Sequence, residues 1–199
     1  MAKGSPPFVG LTGGIGAGKS EALKALERLG AATLSTDAVV HELLESDEVR
    51  ALLVERFGDR VAPGGRIDRN AVAAVVFEDP DERKWLEGVL WPRVGERVNR
   101  WREEIAHRDP PPRAAVVEVP LLFESGMEAV FDHTIAVVAH EEVRRERAAA
   151  RGHTAVESRT ARQLSQTEKA ERAEFVISND GNLADLQQEL SAVLENIGL

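Results

Sequence analysis

The sequence predicts a three-layer α/β fold, with a five-stranded parallel sheet between helices and two helical excursions from it. Three observations carry this. A glycine-rich turn, GGIGAGKS (Gly13–Ser20), joins an apolar β-rich run to a helical pattern. Short apolar runs alternate with helical stretches, and strand–helix–strand alternation builds parallel sheets. Residues 37–107 are helical in pattern almost throughout and hold all three tryptophans, Trp85, Trp91 and Trp101.

The elements follow in order. FVGLTG (Phe8–Gly13) is short, apolar and stopped by glycine, as a buried strand is. Ala22, Leu23, Leu26 and Leu29 recur at helical spacing, and Gly30 can end that helix. AATLS (Ala31–Ser35) reads as a second strand. The helical stretch that follows is interrupted at Phe57–Asp68 (FGDRVAPGGRID), and Pro92 is expected to bend or split its helix. Strand character returns at AAVVEVP (Ala114–Pro120) and at HTIAVVA (His133–Ala139). Glu141–His153 is a strongly charged helix, and Thr154–Ala173 continues helical. FVIS (Phe175–Ser178) is the last strand, NDGN a turn, and Leu183, Leu186, Leu190, Val193 and Ile197 mark one face of a closing helix.

Composition narrows the function. A net charge of −9 argues against a broad nucleic-acid or anionic-membrane surface, since either needs a basic face. With no cysteine, disulfides, thiol catalysis and zinc–thiolate sites are excluded. The opening MAKGSPPFVG has no apolar signal core and no run reaches membrane-span length, so a cytoplasmic location is the expectation.

Any anionic ligand must therefore meet a local positive cluster, and the glycine-rich turn offers one. Gly13, Gly18, Lys19 and Ser20 fit the P-loop spacing G-x-x-x-x-G-K-S/T, with a strand before and a helix after. In such a loop the backbone N–H groups of Gly14, Ile15, Gly16, Ala17 and Gly18 turn toward phosphate oxygens, and the next helix adds its positive end. Lys19 reaches the β- and γ-phosphates of ATP, and the Ser20 hydroxyl is a ligand for Mg²⁺. Neither D-x-x-G nor N/T-K-x-D occurs, so a guanine-specific switch is not expected. Small-molecule kinases and related ATP users mainly remain.

A kinase needs a group that orients or deprotonates the acceptor hydroxyl. Asp37 follows the second strand, on the sheet edge where ligands of parallel α/β folds lie. It is equally placed to cap the next helix. Glu118 ends an apolar strand and has two readings: holding a Mg²⁺-bound water, or tying down a neighbouring loop. Arg144, Arg147 and Arg151 share one helical face. Arg145 has Glu141 four residues before it, whereas Arg147 and Arg151 have no acid there. Either a triphosphate sits between those two cations or the face is simply solvated.

Taken together, the motifs resemble the dephospho-CoA kinase family nearly end to end. The segments are GLTGGIGAGKS, STDAVVHEL (Ser35–Leu43, with Thr36 for the usual alanine), GRIDRNAVAAVVFEDPDERKWLE, VPLLFE (Val119–Glu124) and RTARQLSQTEKAERAEFVISNDG (Arg159–Gly181). Two departures are Leu90-Trp91-Pro92 for the family's leucine-histidine-proline and Ala173-Glu174 for its alanine-aspartate. The resemblance implies ATP-dependent phosphorylation of the ribose 3′-hydroxyl of dephospho-CoA, with Asp37 as acceptor-side base. It implies Lys19 and Ser20 as phosphate and metal residues, and Arg147 and Arg151 as lid arginines. By the same resemblance, Asn179 to Gly181 are expected in a loop near the adenine. The implied organisation is a nucleotide-binding core (1–36, 108–143, 174–199), an acceptor lobe (37–107) and a lid (144–173). The expected partners are ATP and dephospho-CoA, with no nucleic acid or membrane, in a monomer or small homo-oligomer. Rival readings are a nucleoside-monophosphate-type kinase with another acceptor and a non-catalytic ATP-sensing module.

Overall fold

The computed structural model describes residues 5–150 and 163–198. Five strands form an all-parallel sheet in the order β2-β3-β1-β4-β5, from β1 (Phe8–Gly13), β2 (Ala32–Ser35), β3 (Ala115–Glu118), β4 (His133–Val138) and β5 (Phe175–Ser178). The helices are α1 (Lys19–Arg28), α2 (Thr36–Glu45), α3 (Asp47–Phe57), α4 (Arg69–Glu78), α5 (Pro80–Ala106), α6 (Glu141–Ala150), α7 (Gln166–Arg172) and α8 (Leu183–Ile197). The chain divides into two compact units. One runs up to Ser35 and resumes at Arg102; the other is Thr36–Trp101.

In the first unit β1 is central and buried along its whole length. Its side chains alternate between the two faces of the sheet. Val9 and Leu11 join a core with Leu26 of α1, Leu190 and Leu194 of α8, and Ile135 and Val137 of β4. Fully burying each such side chain contributes about 1.5–3 kcal/mol. On the opposite face Phe8 stacks on Phe131, ring centroids 4.7 Å apart, and Arg102 lies over the Phe8 ring. Thr12, on that same face, meets Lys169 of α7. Helices on both faces make the expected three layers. From β1 the chain crosses to the edge strand β2, returns to β3 beside β1, and then adds β4 and β5 on the other side, so the turn after β1 lies where the strand order reverses. That is the position at which ligands bind open parallel sheets.

The second unit is helical and has its own core. Val49, Leu53, Phe57, Val61, Val72 and Leu90 are buried together, with Trp85 packed edge-on to Phe57 at 5.3 Å between centroids. The Phe57–Asp68 interruption consists of two short 3-10 turns, Asp59–Val61 and Pro63–Gly65. Two expectations need correcting. Of the bend or split expected at Pro92, the split does not occur: α5 is continuous over 27 residues. Proline removes one rung of the N–H ladder, but in that turn the Arg93 guanidinium donates to the Val89 carbonyl at 2.6 Å and also pairs with Glu48 of α3. The stretch up to Ala173 is not helical throughout, contrary to what its pattern leads one to expect. Gln163–Ser165 is not helical, and α7 starts afresh from a capping box in which Ser165 and Glu168 satisfy each other's backbone N–H groups.

Candidate active site

The GGIGAGKS turn closes into a loop at the carboxyl end of β1, and α1 begins on Lys19 with its positive end toward the loop. Two glycines are required by what touches them. Gly16 (φ +76°) has the Arg144 backbone of α6 where a Cβ would stand, and Gly18 (φ +93°) has the Asn179 amide there. Both also hold left-handed backbone that side chains disfavour. Lys19 folds back over the loop, and its ammonium donates to the carbonyls of Gly13 (3.1 Å) and Gly14 (3.2 Å). The Ser20 side chain is exposed.

Residues distant in sequence brace this loop. Arg144 donates from Nε to the Ile15 carbonyl at 2.9 Å, and its guanidinium lies against Gly14. Asn179, buried, donates from Nδ2 to the Ala17 carbonyl at 2.8 Å. Arg147 in turn donates to the Asn179 carbonyl at 2.9 Å. Neighbouring Asp180 is pushed up by burial. Hydrogen bonds from the His140 N–H and the Ser178 hydroxyl, with the charges of His140 and Arg147, outweigh this and hold its carboxyl below the ordinary value. A pocket of about 270 Å³ opens beside the loop, lined by Gly14, Ile15, Glu141 and Arg144, with Gln163–Thr167 as its outer wall.

The structure brings together Gly14, Ile15, Gly16, Ala17, Gly18, Lys19, Arg147 and Asn179. Gly181 lies instead at the start of α8, against the Asp185 carboxylate of that helix's capping box. Glu118 ends β3, buried, in register with Leu11 of β1 and Ser35 of β2. Asp37 belongs to the other unit. It is exposed in the first turn of α2, which begins at Thr36, so it stands inside the helix and is not its N-cap. Arg151 lies outside the described residues, as does part of the 144–173 segment. Trp91, which departs from the family pattern, is 54% exposed and so is not a core residue.

Ser20 and Glu118 offer a hydroxyl and a carboxylate, both hard oxygen donors of the kind Mg²⁺ takes. Among the described residues no three acidic or histidine side chains cluster to make an all-protein cage. A hydroxyl and one or two carboxylates, completed by phosphate oxygens and water, are what Mg²⁺ ordinarily takes.

Sequence reasoning missed Arg144 as the arginine over the loop, although its face was visible at i−3 from Arg147. It also missed Asn179 as a brace. Arg145, by contrast, forms the exposed pair with Glu141 at 2.7 Å that its spacing indicated, a contact worth a few tenths of a kcal/mol. Arg144→Ala and Arg147→Ala are each expected to lower kcat/KM for ATP about tenfold or more, as the loss of a charged hydrogen bond does, with Arg145→Ala within twofold of wild type. Equal losses at all three positions would mean that α6 is only a basic surface.

The dephospho-CoA kinase family model matches residues 7–185. The chain belongs to the dephospho-CoA kinase family. It is 40% identical to a dephospho-CoA kinase of Deinococcus radiodurans over 195 residues, 96% of this chain and 93% of that one. Among solved structures, a Thermus thermophilus protein superposes with a TM-score of 0.80 at 36% identity, covering 96% of this chain and 97% of that one. A dephospho-CoA kinase from Campylobacter jejuni superposes with a TM-score of 0.67 at 25% identity, covering 97% and 98%. No helix of the described residues is long and apolar enough to cross a membrane.

Proposed function

We propose that the protein transfers the γ-phosphoryl group of ATP to the ribose 3′-hydroxyl of dephospho-CoA, giving coenzyme A and ADP. The observation that carries this reading is the braced phosphate loop, with Lys19 folded over it, in a chain of this family. The 3′-oxygen attacks the γ-phosphorus, the bond from that phosphorus to the β–γ bridging oxygen breaks, and ADP leaves with the electron pair. The hydroxyl proton passes to the Asp37 carboxylate. Lys19 leaves the loop carbonyls for the β- and γ-phosphates, while Arg144 and Arg147 add positive charge beside the loop. Most of the rate enhancement then comes from positioning and charge neutralisation.

Ser20 and Glu118 are the residues that would hold Mg²⁺, directly or through water, and the ion would offset the negative charge of the phosphates. The helical unit Thr36–Trp101 takes the acceptor role in this reading. Its exposed Trp91 offers an aromatic face of the kind that packs on adenine or an apolar arm. Dependence on ATP fits a cytoplasmic location, and a monomer or small homo-oligomer would suffice.

A coupled ADP-release assay tests this. Turnover is expected with ATP and dephospho-CoA and not with AMP or CMP as acceptor. Turnover with a nucleoside monophosphate alone would make the protein a different kinase. ATP binding without turnover on any of them would make it a sensing module.

A further inference from the structure

The most deeply buried charge in the described structure takes no part in the steps above. Lys169 of α7 is wholly shielded from solvent. Its ammonium donates to the Pro120 carbonyl at 2.6 Å and to the Thr12 hydroxyl at 3.5 Å, and lies 3.1 Å from the Glu124 carboxylate. These three partners match the three protons that the group has to donate. Burial pushes its pKa down, and the hydrogen bond and charge of Glu124 push it back up.

What these partners are attached to gives the pair its meaning. Thr12 immediately precedes the phosphate loop, and Pro120 lies two residues after Glu118. The Glu124 oxygen that faces Lys169 also accepts the backbone N–H of Leu164 at 2.8 Å. Leu164 lines the pocket beside Gly14, Ile15 and Arg144. At the start of α7, Gln166 grips the backbone of Ala139 from both sides, accepting its N–H (3.2 Å) and donating to its carbonyl (2.8 Å). The pocket's outer wall is thus tied to the ends of β1, β3 and β4. Stability alone is a poor reason for such a pair, because apolar residues of similar volume commonly serve a core as well or better.

We propose that Lys169 and Glu124 are positioning residues that hold the Gln163–Thr167 wall in register with the phosphate loop and so set the affinity for the triphosphate. The proposal rests on the reading of this pocket as the ATP phosphate site. Its test is the double variant Lys169→Met/Glu124→Leu, which removes both charges and the tie to Leu164 while keeping the core filled. Steady-state kinetics well below the melting temperature should show KM for ATP raised at least tenfold, with KM for dephospho-CoA within twofold of wild type. A merely structural pair would shift the melting temperature and neither KM. Unchanged KM values, or a parallel rise in both, overturn the proposal. Should the double variant fail to fold, Gln166→Ala decides it, since that side chain is half-buried and its loss leaves the core intact. A selective rise in KM for ATP of at least threefold is expected there, and no such rise overturns the proposal. Lys19→Ala separates the two levels. If it leaves ATP use intact, the pocket reading itself fails. If it abolishes ATP use while the bracket variants behave as wild type, only the bracket is wrong.

Discussion

Lys19→Ala is expected to lower kcat/KM for ATP by about a hundredfold or more while the protein stays folded. The removed ammonium is held over the loop by the carbonyls of Gly13 and Gly14. Preorganised charge aimed at a reacting group is worth ~3 kcal/mol or more of transition-state stabilisation, and each ~1.4 kcal/mol is a factor of ten in rate. Alanine is a good helix former at the first position of α1. The loop's shape is held independently, by Arg144 on Ile15 and by Asn179 on Ala17. The melting temperature should therefore move little while turnover collapses. Steady-state kinetics with a parallel thermal melt check both halves. Activity within threefold of wild type would remove Lys19 from the mechanism.

Asp37→Asn is expected to reduce kcat by roughly 10²–10⁴-fold, the range for loss of a general base, with the ATP dissociation constant within twofold of wild type. The structure sharpens this contrast. The carboxylate is exposed and sits within the first turn of α2, so it is neither a cap nor part of a buried ion pair. Asparagine keeps its shape and removes only the charge, which at a helix N-terminus is worth about 0.3–1 kcal/mol. A stability loss is thus a poor explanation for any large kinetic effect. Calorimetric titration with ATP, beside kinetics with dephospho-CoA, distinguishes the roles. If ATP binding weakens in step with turnover, Asp37 serves the nucleotide or its metal and not the acceptor.

Much of this was legible along the chain because the signals are local. The phosphate loop announces itself in eight consecutive residues, since its work is done by backbone N–H groups that only a glycine-rich run can turn inward. Strands and helices followed from periodicity, and the Arg145–Glu141 pair from helical spacing of four. Where local reading failed, long-range contact or an overlooked cap was the reason. A bend or split is expected at Pro92, and the helix is not split there, with the Arg93 guanidinium donating to the Val89 carbonyl in the same turn. The helical pattern runs on to Ala173, yet α7 starts afresh at the Ser165–Glu168 capping box, a signal that is itself local in the sequence.

The sequence by itself determined that a phosphate loop joins a buried strand to a helix, that the surrounding fold is α/β with a helical unit set into it, and which family the chain resembles. Each of these depends on residue types at short, fixed spacing. Only the tertiary structure decided which side chains attend the loop. Arg144 and Arg147 are three residues apart on one helix, yet one bends over Ile15 and the other holds Asn179. The choice arises because β4 pairs beside β1 and delivers the start of α6 to the loop. Likewise Asn179, 162 residues from Ala17, became a brace only when β5 was laid next to β4. Lys169 and Glu124 lie in two separate segments of the sequence that resemble the family. They became a buried bracket because α7 packs on the face of β1 that carries Thr12, where water is excluded and each charge must find the other.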